Sequence, residues 1–132
     1  MTAHALQSPE DFPRTFASLW GARDAEGLSA LLVEDADMLT LSGAVCEGRK
    51  EIAATLAGEF AGSFARSRLV TGKARLRPIG PGAGVLHQRF VLSGLVDHEG
   101  RDMGRIGALM TAVLIATQEG WRAVSLTFAA TG

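Results

Sequence analysis

From Ile106 to Thr117 the chain reads I-G-A-L-M-T-A-V-L-I-A-T. At a strand's period of two, both alternating faces of that segment are apolar, and such a strand has to be covered on both sides. The chain has 132 residues, which at roughly 100 to 200 residues per domain makes one compact unit. The few helices of so small a unit cover one sheet face only. The other face calls for a second copy, because two-fold homodimers are the commonest oligomers. The expectation is a homodimer formed through the sheet.

The rest of the chain supplies the helices and the remaining strands. Residues 1–7 carry no apolar period and read as a flexible tail, followed by a single domain over 8–132. In S-P-E-D-F-P-R, Ser8 or Asp11 caps a helix whose first turn accommodates Pro9 or Pro13. Phe12, Phe16, Leu19 and Trp20 then share one helical face. After Gly21, Asp24 caps a second helix with a stripe of Leu28, Leu31 and Leu32.

The period changes to two at Ala36, with Met38 and Thr40 on one face and Leu39 and Leu41 on the other. Ser42-Gly43 turns the chain into a short return strand from Ala44 to Cys46. Gly48 opens a third helix, in which Ile52, Leu56, Phe60 and Phe64 recur every four residues. Long strands follow at about 68–79, 84–95, 103–117 and 121–130, separated by Gly80-Pro81-Gly82, Asp97 to Gly100 and Glu119-Gly120. Helices first and a mostly antiparallel sheet afterwards predict an α+β fold with the helices on one sheet face.

Charge and composition exclude several functions. With 13 basic against 14 acidic side chains and a formal net charge of −1, no basic field exists to favour nucleic acid or an anionic membrane as partner. No apolar run reaches the ~18 to 20 residues of a membrane span, and Met1 to Ser8 lacks a secretory pattern, so a cytoplasmic location is expected. The single Cys46 forms no internal disulfide, and three histidines fall short of a structural zinc site. No metal and no cofactor are expected. The absence of Tyr and Asn removes any mechanism that needs a phenol or an Asn amide.

Five strings in order resemble a known family: F-A-S-L-W-G-A-R-D-A-E-G-L at Phe16 to Leu28, E-D-A-D-M-L-T-L-S-G at Glu34 to Gly43, E-G-R-K-E-I at Glu47 to Ile52, V-L-H at Val85 to His87 and G-W-R-A-V at Gly120 to Val124. Together they resemble the SnoaL-like branch of the nuclear transport factor 2-like superfamily, in particular its SgcJ/EcaC group, over about residues 8–130. The resemblance implies a cone-shaped fold, three N-terminal helices packed on a curved sheet around one conical pocket. Its members include ketosteroid isomerases, polyketide cyclases, dehydratases and pure binding modules. The isomerases' strand-end carboxylate base matches Thr40 here, and the protonated Asp of their oxyanion site matches Ala112. The SgcJ/EcaC histidine and asparagine match Leu56 and Phe128. The pocket has thus exchanged polar groups for apolar ones.

The candidate pocket residues are Phe16, Trp20, Met38, Thr40, Leu56, Phe60, Arg89, Met110 and Phe128, with His87 as the candidate acid or base because an imidazole titrates near neutral pH. An even-numbered hairpin loop around Asp97 to Gly100 would set His87 on the inward face with Met110, and an odd one would turn it outward with Arg89. Asp35, Asp37 and Arg49 read as a structural ion pair, Cys46 as an inert buried thiol, and Gly80 to Gly84 as a turn rather than a phosphate loop. Adjacent Asp97, His98 and Glu99 cannot all face one ion. The leading expectation is a pocket that binds a hydrophobic small molecule, with catalysis left open. The alternatives are an isomerase, cyclase or dehydratase acting on a polyketide- or steroid-like substrate through His87, and a purely structural domain.

Overall fold

The computed structural model describes residues 6–131. A 3-10 turn at Pro9–Asp11 leads into α1 (Phe12–Gly21) and α2 (Ala25–Ser29). The hairpin β1 (Leu32–Leu39) and β2 (Val45–Glu47) and the helix α3 (Arg49–Phe60) follow. The chain then runs through β3 (Arg68–Pro78), β4 (Ala83–Ser93), β5 (Ile106–Thr117) and β6 (Gly120–Thr131). The fold is α+β, with one six-stranded sheet in the order β2-β1-β6-β5-β4-β3 and short helices. All neighbouring strands are antiparallel except β1 and β6, which run parallel.

Local signals account for most element boundaries. Ser8 caps the opening turn by accepting from the Glu10 N–H. Asp24 accepts from the Gly27 N–H at 2.9 Å and so caps α2. Between them Arg23 holds φ at +60°, and its guanidinium donates to the carbonyls of Trp20 and Ala65. Those bonds offset the cost of a left-handed non-glycine residue. Gly80, with φ at +69°, turns β3 into β4, and the Ile79 N–H donates to the Ala83 carbonyl at 2.8 Å.

Three boundaries differ from the periodicity. Leu32, expected in the second helix, begins β1: it pairs with Ala123 of β6, and its carbonyl accepts from Arg49. An apolar pair such as Leu31-Leu32 fits either period, and the sheet's hydrogen bonds decide it. The third helix stops at Phe60 rather than reaching Phe64, because the chain turns at Ala61-Gly62, yet Phe64 remains buried. Strand β5 starts at Ile106, after a turn in which the Asp102 carboxylate accepts from the Gly104 N–H. Of the expected tail, residues 1–5 lie outside the described residues, while Leu6 is buried and its carbonyl accepts from the Trp121 N–H at 2.9 Å.

The core lies between the sheet's inner face and the helices. Leu86, Phe90 and Leu92 of β4, Ala108, Met110, Ala112 and Leu114 of β5, and Leu126 and Phe128 of β6 are all buried there. They pack with Phe12, Phe16, Leu19 and Trp20 of α1 and with Ile52, Leu56 and Phe60 of α3. Gln88 is the polar residue on that inner row, buried to 2 % exposure. Strand β3 bulges between Thr71 and Ala74, which frees backbone carbonyls, and the Gln88 Nε2 donates to Gly72 at 3.1 Å and Arg89 at 2.8 Å. Replacing Gln88 by Leu is expected to lower stability by about 1–2 kcal/mol, measured by urea unfolding, because the bulge carbonyls lose their donor while the volume is kept.

Candidate functional site

The aromatic residues expected to line a pocket, Phe16, Trp20, Phe60 and Phe128, form a close-packed cluster. Phe16, Trp20, Met38, Thr40, Leu56, Phe60, Met110 and Phe128 all point inward and are buried. Trp20 meets Phe60 edge to face with ring centroids 5.0 Å apart, and Phe64 likewise at 5.8 Å. Phe16 lies 5.7 Å from Phe128 and 6.5 Å from Phe90. The Trp20 indole N–H donates to the Ser67 hydroxyl at 2.9 Å, which in turn donates to the Phe64 carbonyl at 2.8 Å. The helix-facing space is therefore occupied by the chain's own rings.

His87 and Arg89 stand on the opposite face, which corrects their assignment to the pocket. The ladder pairs Leu92 with Ile106 and His87 with Thr111, and Val96 bridges Asp102, so five residues, 97–101, close the hairpin. An odd number sets His87 and Arg89 with Thr111 and Leu109, while Leu86, Gln88 and Phe90 face the core. His87 consequently shares no space with the interior where it was expected to move a proton. The ion pair expected between Arg49 and Asp35 or Asp37 is also absent among the described residues. Arg49 donates to the Leu32 carbonyl, and the Asp37 carboxylate accepts from the Ser125 hydroxyl instead.

A recess opens at one end of the sheet, where α3's C-terminal turn, the β1–β2 turn and the β4–β5 connection meet. It has a volume of about 350 Å³, and Leu41, Phe64, Leu92, Leu95 and Ile106 form its apolar walls, with Ala130 at its edge. Ser42, Ser63, Asp97, His98 and the exposed Met103 rim it. The Val96 N–H donates to the Ser63 carbonyl and the Met103 N–H to the Leu95 carbonyl, which folds the β4–β5 connection over the recess.

On the other side, Thr40 accepts from the Ala44 N–H and bonds Ser42 at 2.9 Å, and Ser42 donates to Glu59 of α3. This chain of hydroxyls ties the β1–β2 turn to α3, so Thr40 serves the wall of the recess rather than its interior. Of the rim's polar groups, the Asp97 carboxylate is engaged in the turn: it accepts from the N–H groups of Glu99 and Arg101 and pairs with the Arg101 side chain. Among the described residues no three His, Cys, Asp or Glu side chains gather as metal ligands. No helix there is long and apolar enough to cross a membrane. Cys46 is buried at 1 % exposure on the inner face, away from the recess. The arrangement can hold an apolar group and offer it hydroxyl contacts.

Sequence periodicity did not single out this recess, because its walls combine strand ends with residues of three connections. Leu95 and Met103, on either side of the Asp97 to Gly100 turn, were the visible signal: apolar residues in a connection otherwise rich in charge.

An α+β domain with helices on one face of a six-stranded sheet is a fold seen in many solved structures. An uncharacterised protein with a cystatin-like fold from Caulobacter vibrioides matches with a TM-score of 0.83 and 16 % identity, over 93 % of this chain and 87 % of that one. A nuclear transport factor 2-like protein with a cystatin-like fold from Novosphingobium aromaticivorans matches with a TM-score of 0.76 and 25 % identity, over 91 % and 77 %. A putative calcium/calmodulin-dependent protein kinase type II association domain from Thiobacillus denitrificans matches with a TM-score of 0.78 and 21 % identity, over 98 % and 99 %. No family model and no curated protein matches the chain. The protein has the cystatin-like, nuclear transport factor 2-like fold.

Proposed function

We propose that this chain is a binding domain for a hydrophobic small molecule, held in the end-on recess rather than in the centre of the fold, and that it works as a homodimer. The observation that carries the reading is the recess itself: about 350 Å³ walled by Phe64, Leu92, Leu95 and Ile106, within the range of small-ligand sites. Its apolar walls and hydroxyl rim suit a ligand with a hydrocarbon body and one or two polar substituents. Within the superfamily the SnoaL-like branch, with its cone around a pocket, is the assignment we favour on the five sequence strings, together with a cytoplasmic location. Catalysis is not part of the proposal. Ala112 is buried where the resemblance would place an oxyanion donor, and Thr40 is engaged in the turn. A missing acid–base group typically costs ~10² to 10⁴-fold in rate and a missing oxyanion donor ~10² to 10³-fold, so no turnover of a steroid ketone is expected from the wild type or from His87→Ala.

The test fills the recess. Ala130 lies at its exposed edge, so Ala130→Trp inserts an indole without opening the core. Titration with the apolar dye Nile red is expected to saturate with the wild type and to weaken at least about tenfold with Ala130→Trp, as loss of a few apolar contacts implies. The melting temperature should be unchanged. If the wild type does not bind the dye, or if both proteins bind it equally, the recess is not the site.

A second reading, a structural association domain, has its own support. The aromatic cluster fills the space where the fold's pocket was expected, and one similar structure is described as an association domain. Absence of dye binding together with a stable dimer would favour it.

A further inference from the structure

The outer face of the sheet carries its charges at opposite edges. Lys73, Arg75, His87 and Arg89 surround Leu109 in one depression on the β3–β4 side. On the β1–β2 side stand Asp37 and Glu47, both exposed. Between these edges the outward residues are apolar or hydroxylic, Val85 of β4, Leu109, Thr111, Val113 and Ile115 of β5, and Ser125 and Thr127 of β6, apart from Arg122 opposite Ile115, whose charge is paired with Glu119. One register row crosses all six strands and shows the polarity directly. It runs Arg77, Val85, Val113, Ser125, Asp37, Glu47, from a cation at one end to two carboxylates at the other. Among the described residues Arg75, Arg77 and Arg89 meet no carboxylate within ion-pair distance.

We propose that this face docks a second copy of the chain with the two-fold axis lying along the strands, so that the basic β3–β4 edge of each copy covers the acidic β1–β2 edge of the other. The proposal rests on the homodimer reading above and adds the orientation. Two sheets packed face to face by a two-fold axis in the interface have two limiting arrangements. An axis across the strands lays each edge over its own copy, so Arg75, Arg77 and Arg89 face the same arginines and Asp37 faces carboxylates. Like-charge juxtaposition of that kind is strongly disfavoured. An axis along the strands, between β5 and β6, reverses the strand order instead. It sets Arg77 against the partner's Glu47, Val113 against the partner's Ser125, and the apolar middle of one sheet against that of the other. Aligned sheets cross at about 30°, which at an edge roughly 12 Å from the axis is a shift of about 6 Å, one outward position along a strand. Arg75 and Arg77 are thus the two arginines that reach the partner's Asp37 and Glu47. The apolar centre supplies the adhesion, and the charged edges choose the orientation.

Sedimentation equilibrium at low ionic strength tests this with five proteins: wild type, Arg75→Glu/Arg77→Glu, Asp37→Lys/Glu47→Lys, the combination of all four, and Val113→Asp. Circular dichroism confirms that each is folded, and Glu47→Lys alone replaces the acidic-edge pair if that variant is not, since the Asp37 carboxylate also binds Ser125. The wild type should sediment at about twice 13.9 kDa. Each one-edge reversal should weaken the dimer at least about tenfold, the combination should restore it, and Val113→Asp should give monomers. If Val113→Asp dissociates the dimer while the one-edge reversals change nothing, or if the combination does not recover, the copies meet on this face in another orientation and the proposal is overturned. A dimer that survives Val113→Asp places the interface elsewhere and also overturns it. A wild-type monomer at micromolar concentration would instead remove the homodimer reading on which it stands.

Discussion

Replacing Trp20 by alanine is expected to cost about 3–5 kcal/mol of stability, the range for deleting a large aromatic side chain from a packed core. Trp20 is buried at 2 % exposure. Its ring contacts Phe16 of its own helix, Phe128 of the sheet, and Phe60 and Phe64 on the α3 side, so its loss opens a cavity that no single neighbour can close. The indole N–H is also the donor to Ser67, although Ser67 keeps a partner in the Phe64 carbonyl. Trp20→Phe separates the two contributions: it retains most of the ring area and removes the hydrogen bond, and a loss of only about 1–2 kcal/mol is expected from it. Urea unfolding followed by circular dichroism gives both values. Total stabilities are about 5–15 kcal/mol for domains of this kind, so Trp20→Ala removes from about a fifth to all of the folding free energy. A change below about 1 kcal/mol would mean that the aromatic cluster is looser than its ring distances indicate.

That cluster also shows what could and could not be read from the amino-acid sequence. Phe12, Phe16, Leu19 and Trp20 are spaced for one helical face, and they are all buried. The dual apolar pattern of Ile106 to Thr117 marked β5, whose even-numbered residues face the core and whose odd-numbered residues face outward. Periodicity states which side chains turn inward. It does not state whether their volumes fill the space they enclose, and here Phe16, Phe60, Phe64 and Phe128 close around Trp20 where an open pocket was expected.

The face of His87 was undetermined for a different reason. It depends on the parity of a loop, and the connection between β4 and β5 holds three glycines, at 94, 100 and 104, all with positive φ. Any of them could have ended a strand, and a shift of one residue exchanges the two faces. Gln88 on the inner row breaks the alternation of apolar residues, and its reason is a bulge in the neighbouring strand that local sequence does not announce. The recess was harder still to foresee, because Leu41, Phe64 and the pair Leu95 and Met103 come from three separate connections that only the folded chain brings together.

Gly94→Ala is expected to have the largest effect on the recess. Gly94 holds φ at +79°, a left-handed conformation that costs an L-residue about 1–2 kcal/mol. A methyl group there would also lie 2.2 Å from the Arg66 carbonyl oxygen and 2.9 Å from its carbon. Both neighbours are backbone, so no side-chain rotation relieves the clash. The chain has to move where β4 crosses the α3–β3 connection. That crossing carries Leu95 and Val96 onto the recess and allows the Val96 N–H to reach the Ser63 carbonyl. Strain and displacement together should lower stability by about 2–4 kcal/mol. The displacement should also weaken Nile red binding more than the stability loss alone explains, because the wall formed by Leu95 shifts while Phe64 and Leu92 stay. Gly100→Ala is the control: its φ of +82° is equally left-handed, but no atom lies within 4 Å of the added methyl. It should therefore show the conformational cost of about 1–2 kcal/mol with dye affinity unchanged. Equal effects of the two substitutions on binding would show that the Gly94 crossing does not shape the recess, whereas loss at Gly94 alone ties the ligand site to the point where β4 leaves the sheet.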